Sequence, residues 1–466
     1  MTPEPQSDSF RNSLGIVSAQ GKRSWIYPRK PSGSFYRMRT LLSLLLLVIL
    51  FGTPWLHVNG HPFMLFNIVE RKFILFGMGF GPHDFFLLVI GMISVIVFII
   101  LFTVVFGRLF CGWLCPQTVL MEMVFRKIDY WIEGDHRQQR RLDESAWNGT
   151  KIRKKLLKYA IYLTLSFLIA NTLLAYVIGL DQLIAIVSDP PGLHLAGLTA
   201  ILIFSVVFYW IFIWFREQAC ILVCPYGRLQ GVLLDSNSIV IAYDHTRGEP
   251  RQRRRRNELR TVGDCIECNQ CVEVCPTGID IRNGTQLECV NCTACIDACD
   301  AVMTKIRKPK GLIRYASANG ITSGVGFRWT PRIVGYSVVL LLLVSLLTGL
   351  VASRTEIDVT VLRTPGMFYQ EQAEGKVSNV YDLKILNKTF AGVSLSLKLQ
   401  KPAGEIIVIG GDLMVPSQGI LEQKLLVVLK RDDLHALNTP VTIGVFQGER
   451  MVQEITTSFL GPGKQK

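Results

Sequence analysis

Eight of the chain's twelve cysteines lie within residues 265–300, "CIECNQCVEVCPTGIDIRNGTQLECVNCTACIDACD". They form two quartets with the same spacing, C-x2-C-x2-C-x3-C. In two-cluster ferredoxins, three closely spaced thiolates bind one [4Fe–4S] cluster, and the fourth cysteine of the run binds the other cluster. The spacing therefore predicts an electron-transfer module. A structural zinc site is less favoured, because zinc usually takes two C-x2-C pairs that lie farther apart.

This crossed pattern assigns four cysteines to each predicted cluster. We expect cluster one at Cys265, Cys268, Cys271 and Cys299, and cluster two at Cys289, Cys292, Cys295 and Cys275. Pro276 follows the first quartet, as the ferredoxin pattern requires, whereas Asp300 stands where the second proline would be. That departure changes the path of the chain after the second quartet and leaves all eight ligands in place.

The other four cysteines form two pairs, in "RLFCGWLCPQT" and "REQACILVCPYGR". The pairs are Cys111 with Cys115 and Cys220 with Cys224, and each ends in Cys-Pro, at Pro116 and Pro225. A four-residue separation places two thiols on one face of a helix. The prolines favour extended backbone before them and a new helix after them. Soft thiolates suit Cu(I) or a further iron–sulfur cluster; buried structural cysteines are the alternative, and a disulfide is less favoured.

Several histidines and methionines lie in two further loops. They are His57, His61, His83 and His194, with Met64 and Met78. Imidazole and thioether groups both bind copper, so a second copper site in these loops is a further hypothesis. Amphipathic histidines at a membrane boundary are the simpler interpretation.

Five long apolar runs must position the cysteines. They lie near residues 40–55, 85–106, 159–178, 195–215 and 333–352, and none contains Lys, Arg, Asp or Glu. About 18 such residues cross the hydrocarbon core of a bilayer as a helix. The first run is shorter and reaches that length by drawing on Tyr36, Met38 or Leu56. Five runs predict a polytopic α-helical membrane protein.

The basic residues predict the orientation of these helices. Residues 1–39 carry seven Lys and Arg, residues 107–158 carry eleven and residues 216–332 carry seventeen, whereas residues 56–84 carry two and residues 179–194 none. Short loops rich in Lys and Arg stay in the cytoplasm. All twelve cysteines then lie on the reducing side, where thiols bind metals more readily than they form disulfides. The net charge of +14 is read as a topology signal and a surface facing anionic lipid, and nucleic-acid binding is not favoured.

These patterns divide the chain into five predicted regions. They are a cytoplasmic segment at 1–39, a four-helix membrane domain with both cysteine pairs at 40–215, a cytoplasmic two-cluster ferredoxin-like domain at 216–332, a fifth transmembrane helix at 333–352 and an exported domain at 353–466. The first apolar run begins about forty residues into the chain without a small-residue cleavage site, so it is interpreted as a signal anchor.

The last region has the pattern of a β-sandwich. It contains alternating segments such as "VSNVYDLKIL", "VSLSLKL" and "VTIGVFQ", separated by turn sequences such as "NKT", "PAG" and "NTP". Turns at intervals of about ten residues are typical of an immunoglobulin-like antiparallel sandwich. The region has no cysteine and no Trp, so the architecture alone is predicted. Its scattered polar residues form no catalytic group, and we interpret it as a docking module.

Over its whole length the sequence resembles the CcoG/FixG/RdxA accessory proteins of cbb-type cytochrome c oxidase. The similar segments are "IYPRK", "RKFILFG", "FCGWLCPQT", "REQACILVCPYGR", "CPTGIDIRNG", "CIDACDAVM" with "GLIRY", and "NVYDLKILNKT". Two Cys-x3-Cys-Pro motifs beside a double ferredoxin are the specific part of this resemblance.

The resemblance implies an iron–sulfur protein of the bacterial inner membrane, a cupric reductase that converts Cu(II) to Cu(I) for assembly of the oxidase's copper centre. It implies as partners the oxidase, its copper-assembly factors and a cytoplasmic electron donor. The eight quartet cysteines would bind clusters, and Cys111, Cys115, Cys220 and Cys224 would form the copper-reducing site. One alternative is an electron-relay subunit between quinol and a respiratory enzyme, which would not need the exported sandwich. Another is a non-enzymatic scaffold whose tail docks the oxidase.

Overall fold

The computed structural model describes most of the chain. The described residues are 23–68, 71–252, 263–324, 327–434 and 436–462. They divide into two compact units, the first from Met1–His57 and Ile90–Ser345 and the second from Val58–Val89 and Leu346–Lys466. The loop between the first two apolar runs thus belongs with the C-terminal region.

Among the described residues, five helices are long and apolar enough to cross a membrane, as the hydropathy pattern predicts. We call them spans 1 to 5. They are Ser34–Gly52, Phe85–Phe106, Gly149–Ile178, Leu195–Trp210 and Pro331–Ala352; the 3-10 turn Thr53–Trp55 extends the first and the π-helical turn Ile211–Phe215 extends the fourth. At most 28% of the most apolar window of any span is buried by protein, which leaves wide apolar faces for lipid.

Two spans begin before their apolar runs because polar side chains cap them. Span 1 starts at Ser34, where the Asp297 carboxylate accepts the N–H groups of Phe35 at 3.2 Å and Tyr36 at 2.8 Å. Span 3 starts at Gly149, where the Asn148 side chain accepts the third N–H of the helix at 2.8 Å. These carboxylate and amide acceptors satisfy N–H groups that have no partner inside the helix.

Shorter elements connect the spans in the first unit. The helices are Leu109–Trp113, Pro116–Thr118, Val119–Phe125 (π-helical), Arg126–Ile132, His136–Glu144, Leu180–Ser188, Ala219–Val223 (π-helical), Pro225–Leu233, His245–Gly248, Gln270–Glu273, Ile281–Asn283 (3-10), Ala294–Lys305 and Ala318–Ser323. The strands Val240–Tyr243 and Ile313–Ala316 pair antiparallel beside the cysteine quartets.

Phe125 lies at the centre of the apolar core that joins spans 3 and 4. Its ring stacks on Phe212 of span 4 at 4.2 Å and meets the edge of Tyr162 of span 3 at 4.7 Å. All three side chains are fully buried. Because Phe125 follows the first cysteine pair by ten residues, this core fixes the position of that pair relative to both spans.

A buried ionic network lies beside this core. The Asp129 carboxylate is 1% exposed and accepts a hydrogen bond from the Tyr162 hydroxyl at 2.7 Å. It also pairs with Lys158 at 2.8 Å and with Arg216 at 2.9 Å. Arg216 ends span 4 with a left-handed φ of 48°. The network therefore holds a sharp turn directly before the second cysteine pair.

The substitution of Asp300 for proline has a structural consequence. The helix Ala294–Lys305 continues through this position, which a proline would disfavour. The Asp300 carboxylate accepts the N–H of Gly311 at 2.8 Å and holds the chain as it turns back. The path of the chain after the second quartet therefore differs from that expected with a proline at this position, as the sequence predicts.

The C-terminal part of the second unit is an antiparallel β-sandwich, as the alternating pattern predicts. Its strands are β1 (Ile357–Arg363), β2 (Gln370–Gln372), β3 (Lys376–Asn387), β4 (Val393–Lys401), β5 (Gly404–Ile409), β6 (Leu413–Val415), β7 (Ile420–Lys430), β8 (Asn438–Gln447) and β9 (Arg450–Leu460). One sheet has the order β5-β7-β3-β1 with β2 also on β3, and the other has the order β6-β4-β8-β9. Alternate residues of β3, namely Tyr381, Leu383 and Ile385, are buried between the sheets.

The loop between spans 1 and 2 forms a small sheet in the same unit. Its strands are Met64–Asn67, Lys72–Leu75 and Met78–Phe80, preceded by two-residue strands at His57–Val58 and His61–Pro62. The ring of His61 stacks on Phe390 of the sandwich at 3.9 Å. This loop therefore packs on the sandwich, which the sequence did not indicate.

Candidate functional site

The quartet cysteines surround two small cavities, each of about 20 Å³. One is lined by Cys275, Cys289, Cys292 and Cys295, and the other by Cys265, Cys268 and Cys299, with Cys271 bordering both. Each cavity thus receives the last cysteine of the opposite quartet, Cys275 or Cys299. The remaining walls are largely apolar, with Ile281 at the first cavity and Ile313 at the second. At least four thiols line each apolar cavity, which fits the donor set of a [4Fe–4S] cluster.

The two quartets also share one backbone conformation. Around the second cysteine of each, the flanking residues are left-handed: Glu267 and Asn269 have φ of 52° and 55°, and Asn291 and Thr293 have φ of 52° and 65°. This conformation is unfavourable for a β-branched or long side chain, by about 1–3 kcal/mol per residue. Its recurrence at equivalent positions shows that both C-x2-C turns are shaped alike.

Burial controls the ionisation of the quartet thiols. It raises the pKa of Cys271 and of Cys289 to about 12. It raises the pKa of Cys292 to about 11, although the nearby Arg39 charge acts in the opposite direction. These thiols are therefore protonated at neutral pH when no metal is bound. Metal loading must release protons, so it is favoured as the pH rises.

The two cysteine pairs are built alike. The first cysteine of each pair lies in a short helical turn, at Leu109–Trp113 or Ala219–Val223. The second has extended backbone, with φ −62° and ψ 123° at Cys115 and φ −63° and ψ 111° at Cys224. A new helix then starts at the proline, as predicted. The prediction that both thiols share the face of one helix is wrong, because the proline forces the preceding cysteine out of helical conformation.

The four pair thiols lie in one neighbourhood. Burial raises the pKa of Cys220 to about 12, and the charges of Cys115, Cys111 and Cys224 add to the rise. Burial likewise raises the pKa of Cys111 to about 11. Four soft thiols in one neighbourhood suit a further iron–sulfur cluster or copper.

The first pair lies directly against the loop of the second quartet. Cys111 packs into the same apolar group as Val290 and Cys292. At Gly112, a Cβ atom would lie 2.4 Å from the Val290 carbonyl oxygen and 2.7 Å from that of Asn291. Glycine is thus required for this close approach.

The second pair borders the same quartet. Cys220 lines a small cavity together with Thr277 and Val290. The Arg108 guanidinium donates to the carbonyl of Leu287, ahead of the second quartet, and to that of Gly227, behind the second pair. The two thiol pairs are therefore adjacent to the cavity of cluster two. The cavity of cluster one has the exposed cysteine of the chain, Cys268.

The histidines of the other loops do not assemble a comparable site. His61 stacks on an aromatic ring, His194 lies 3.0 Å from the Asp189 carboxylate, and His57 lies 3.1 Å from the Trp55 carbonyl. Within the described residues, no group of three histidine, cysteine or acidic side chains is compact enough to bind one ion. A second copper site in these loops stays a hypothesis that no contact among the described residues tests.

Family models match three parts of the chain. Residues 215–318 match a "4Fe-4S dicluster domain", residues 88–134 a "4Fe-4S binding domain", and residues 347–462 the "IG-like fold at C-terminal of FixG". The prediction of iron–sulfur binding is confirmed. The second match includes Cys111 and Cys115, so the first pair lies in a region of the iron–sulfur type.

Similar proteins match most of the chain. Nitrogen fixation protein FixG of Rhizobium meliloti is 33% identical over 84% of this chain and 82% of its own length. Protein RdxA and Protein RdxB of Cereibacter sphaeroides are 33% and 32% identical, over 82% and 88% of this chain and 83% and 90% of their own lengths. The crystal structure of a FixG-related protein from Vibrio parahaemolyticus covers 24% of this chain and 100% of that chain, at 20% identity and a TM-score of 0.20.

Proposed function

Because the chain belongs to the FixG/RdxA family, we propose that it is a membrane iron–sulfur protein that reduces Cu(II) to Cu(I) at its two Cys-x3-Cys-Pro pairs. The product serves the copper centre of cbb-type cytochrome c oxidase, with the oxidase and its copper-assembly factors as partners. The packing of Cys111 against Val290 and Cys292 is the observation that carries this proposal. It places the candidate copper-binding thiols beside a candidate cluster site.

The proposed roles of the cysteines differ with their position in the chain. The iron–sulfur clusters supply one-electron carriers when bound by the eight quartet cysteines. Cys268 is exposed, so a cytoplasmic electron donor reaches the protein at the first quartet. The second quartet borders the thiol pairs, where Cu(II) gains one electron and becomes Cu(I). Thiolates favour the softer Cu(I); the electron-transfer step itself moves no proton, whereas binding of copper by the pair thiols releases their protons.

We place the protein in the inner membrane with the N-terminus and quartets in the cytoplasm and the sandwich in the periplasm. The support is the excess of Lys and Arg in residues 107–158 and 216–332. An alkaline phosphatase fused after Lys466 should therefore be active, because that enzyme needs export for its disulfides. A fluorescent protein fused at the same point serves as the control and should be dark. A bright fluorescent fusion with an inactive phosphatase would reverse the orientation.

A third [4Fe–4S] cluster held by the pairs is the second candidate. Two observations favour it: the iron–sulfur family match over residues 88–134, and the mutual proximity of the four thiols. In that case the pairs would extend the electron path, and copper or a respiratory partner would receive electrons beyond them. The two candidates differ in iron content, which makes them separable.

Serine substitution at the pairs tests both candidates. Two double variants are made, Cys111→Ser with Cys115→Ser and Cys220→Ser with Cys224→Ser. If the pairs bind copper, each variant should keep the iron content of the wild type but lose Cu(I) retention and most Cu(II) reduction, because serine lacks the soft ligand. For a third cluster, iron should fall by about four per chain. Anaerobic protein would be assayed for iron, for low-temperature EPR signals and for Cu(I) with a chromogenic chelator.

The two double variants control each other. All twelve cysteines lie in the four groups, so the chain offers no neutral cysteine for comparison. If the four thiols act together, both variants should fail alike. Full copper reduction with unchanged iron in both would leave the pairs with a packing role and overturn the proposal.

A further inference from the structure

A further cavity in the first unit has no cysteine among the described residues that line it. It is open to the surface and has a volume of about 720 Å³ beside the start of span 1. Three cations line it, Lys30, Arg37 and Lys127. Three aromatic rings complete most of the wall, those of Tyr36, Tyr130 and Trp131. No acidic residue is among the described residues that line it.

The cations of this cavity lack a counter-charge. Within the described residues none of the three forms an ion pair, and the Lys127 ammonium makes one long hydrogen bond, 3.4 Å to the Thr40 hydroxyl. Burial and the charges of Arg39 and Lys30 lower the pKa of Lys127. An anion in the cavity would relieve this repulsion.

Three acidic residues around the cavity are engaged elsewhere. Asp135 accepts the backbone N–H of Lys30 at 3.1 Å and lies 3.1 Å from the His136 ring. Asp297 caps span 1. Glu122 pairs with Arg126 at 2.9 Å. The protein itself therefore leaves the cavity positively charged.

The cavity lies where span 1 enters the apolar region. Four of its residues, Tyr36, Arg37, Thr40 and Leu41, lie in the first turns of that span, where the uncharged run begins. Leu41 and Trp131 are 68% and 75% exposed. Cations with an exposed Trp and Leu at this level match the headgroup region of a bilayer, with the apolar side chains towards the hydrocarbon.

We propose that this cavity binds the phosphate of an anionic phospholipid, whose acyl chains lie against Leu41 and Trp131. Free phosphate would not use the apolar mouth. A quinol is not favoured, because its oxidation releases protons and the lining has no carboxylate or imidazole to accept them. The lipid would thereby stabilise the start of span 1, which the Asp297 carboxylate caps. Asp297 is two residues from each of the candidate cluster ligands Cys295 and Cys299.

Quenching of Trp131 by brominated lipid tests this site. Full-length protein in detergent would be titrated with brominated phosphatidylglycerol or brominated phosphatidylcholine, and a Trp131→Phe variant would isolate the signal of this ring. Brominated phosphatidylglycerol should quench the Trp131 fluorescence at about tenfold lower concentration than brominated phosphatidylcholine, because two or three cations attract the anionic headgroup. Arg37→Gln with Lys127→Gln should reduce the preference to within about twofold.

The matched control is Arg153→Gln with Lys154→Gln. These residues lie in the first turns of span 3, so the control removes the same charge near another membrane boundary. The preference should persist in this variant. Its loss would assign the effect to diffuse surface charge and overturn the site.

Further measurements test whether another ligand binds in this cavity. Equal quenching by both lipids in the wild type would overturn the proposal. So would displacement of phosphatidylglycerol by inorganic phosphate at equal concentration, or quenching by a short-chain quinone in preference to phosphatidylglycerol. Iron content and helical circular dichroism report folding of each variant. Should the double variant misfold, Lys30→Gln removes one cation without touching span 1, and a preference unchanged there would also count against the site.

Discussion

Replacing Cys292 with serine should remove about four irons per chain and abolish fast electron transfer to copper. Cys292 lines the cavity beside the thiol pairs and packs in the same apolar group as Cys111. Replacing Cys268, at the exposed cavity, should also remove about four irons but leave fast transfer in place. Both proteins would be reduced with dithionite, freed of excess reductant and mixed rapidly with Cu(II), and Cu(I) would be followed with a chelator.

The contrast between these variants tests the order of the two cluster sites. Cys268→Ser protein keeps the cluster site beside the candidate copper-binding pairs and should deliver about half the electrons of wild type at an unchanged rate, since one of two carriers remains. Equal rates in both variants would mean that copper receives electrons from either site, and the proposed route through the second quartet would fall. EPR of each reduced variant should show the loss of one cluster signal only.

Asp129→Asn should cause the largest loss of stability among the substitutions considered. The carboxylate is buried and neutralises Lys158 at 2.8 Å and Arg216 at 2.9 Å. Removing one partner of a buried ionic group leaves uncompensated charge and costs about 3–5 kcal/mol. The apparent Tm in detergent should fall by about 10 °C, and the second thiol pair, which follows Arg216, should lose order with it.

Glu144→Gln is the matched control for this substitution. Glu144 pairs with Arg140 at 2.9 Å, but both side chains are more than half exposed, so its loss should change the free energy of unfolding by less than about 1 kcal/mol. Similar changes of Tm in the two variants would show that the buried network does not stabilise the fold.

The Asp129 network also predicts a pH dependence. Burial raises the pKa of Asp129, but the charges of Arg216 and Lys158 outweigh it and bring the pKa to about 2. A carboxyl group with a lowered pKa contributes its full stabilisation above the unfolded value near 3.8 and loses it as the pH falls towards 2. The Tm difference between wild type and Asp129→Asn should therefore shrink across that window.

The quartets could be read from the sequence because their chemistry is local. C-x2-C turns are short enough for spacing to determine which thiols meet. Each cavity is lined by the four cysteines that the spacing assigns to one cluster, with Cys271 bordering both, and the ligand assignment itself stays a prediction. The apolar spans were likewise predictable, since twenty uncharged residues have few alternatives to crossing a membrane. The starts of spans 1 and 3 were not predictable from the apolar runs. Asp297 and Asn148 cap these helices at positions that precede the charged residues before each run.

The residues that surround the two Cys-x3-Cys-Pro pairs could not be predicted from the sequence. The contact of Cys111 with Val290 and the bonds of Arg108 join segments far apart in sequence, and no periodicity marks them. The ion pair of Asp129 with Arg216 is also long-range. One signal was available: Gly112 stands between two thiols, where a glycine indicates close approach of another backbone. It does not say which backbone approaches.

The contact at Gly112 has a consequence for the order in which a new chain is made. Val290 lies 178 positions after Gly112, so ribosomes adding 5–20 residues per second reach it roughly 10 to 40 s later. Until then Cys111 and Cys115 have no covering loop. A nascent chain therefore passes through an interval in which this pair is open to oxygen and to the wrong metal, and that interval closes when the second quartet folds over it.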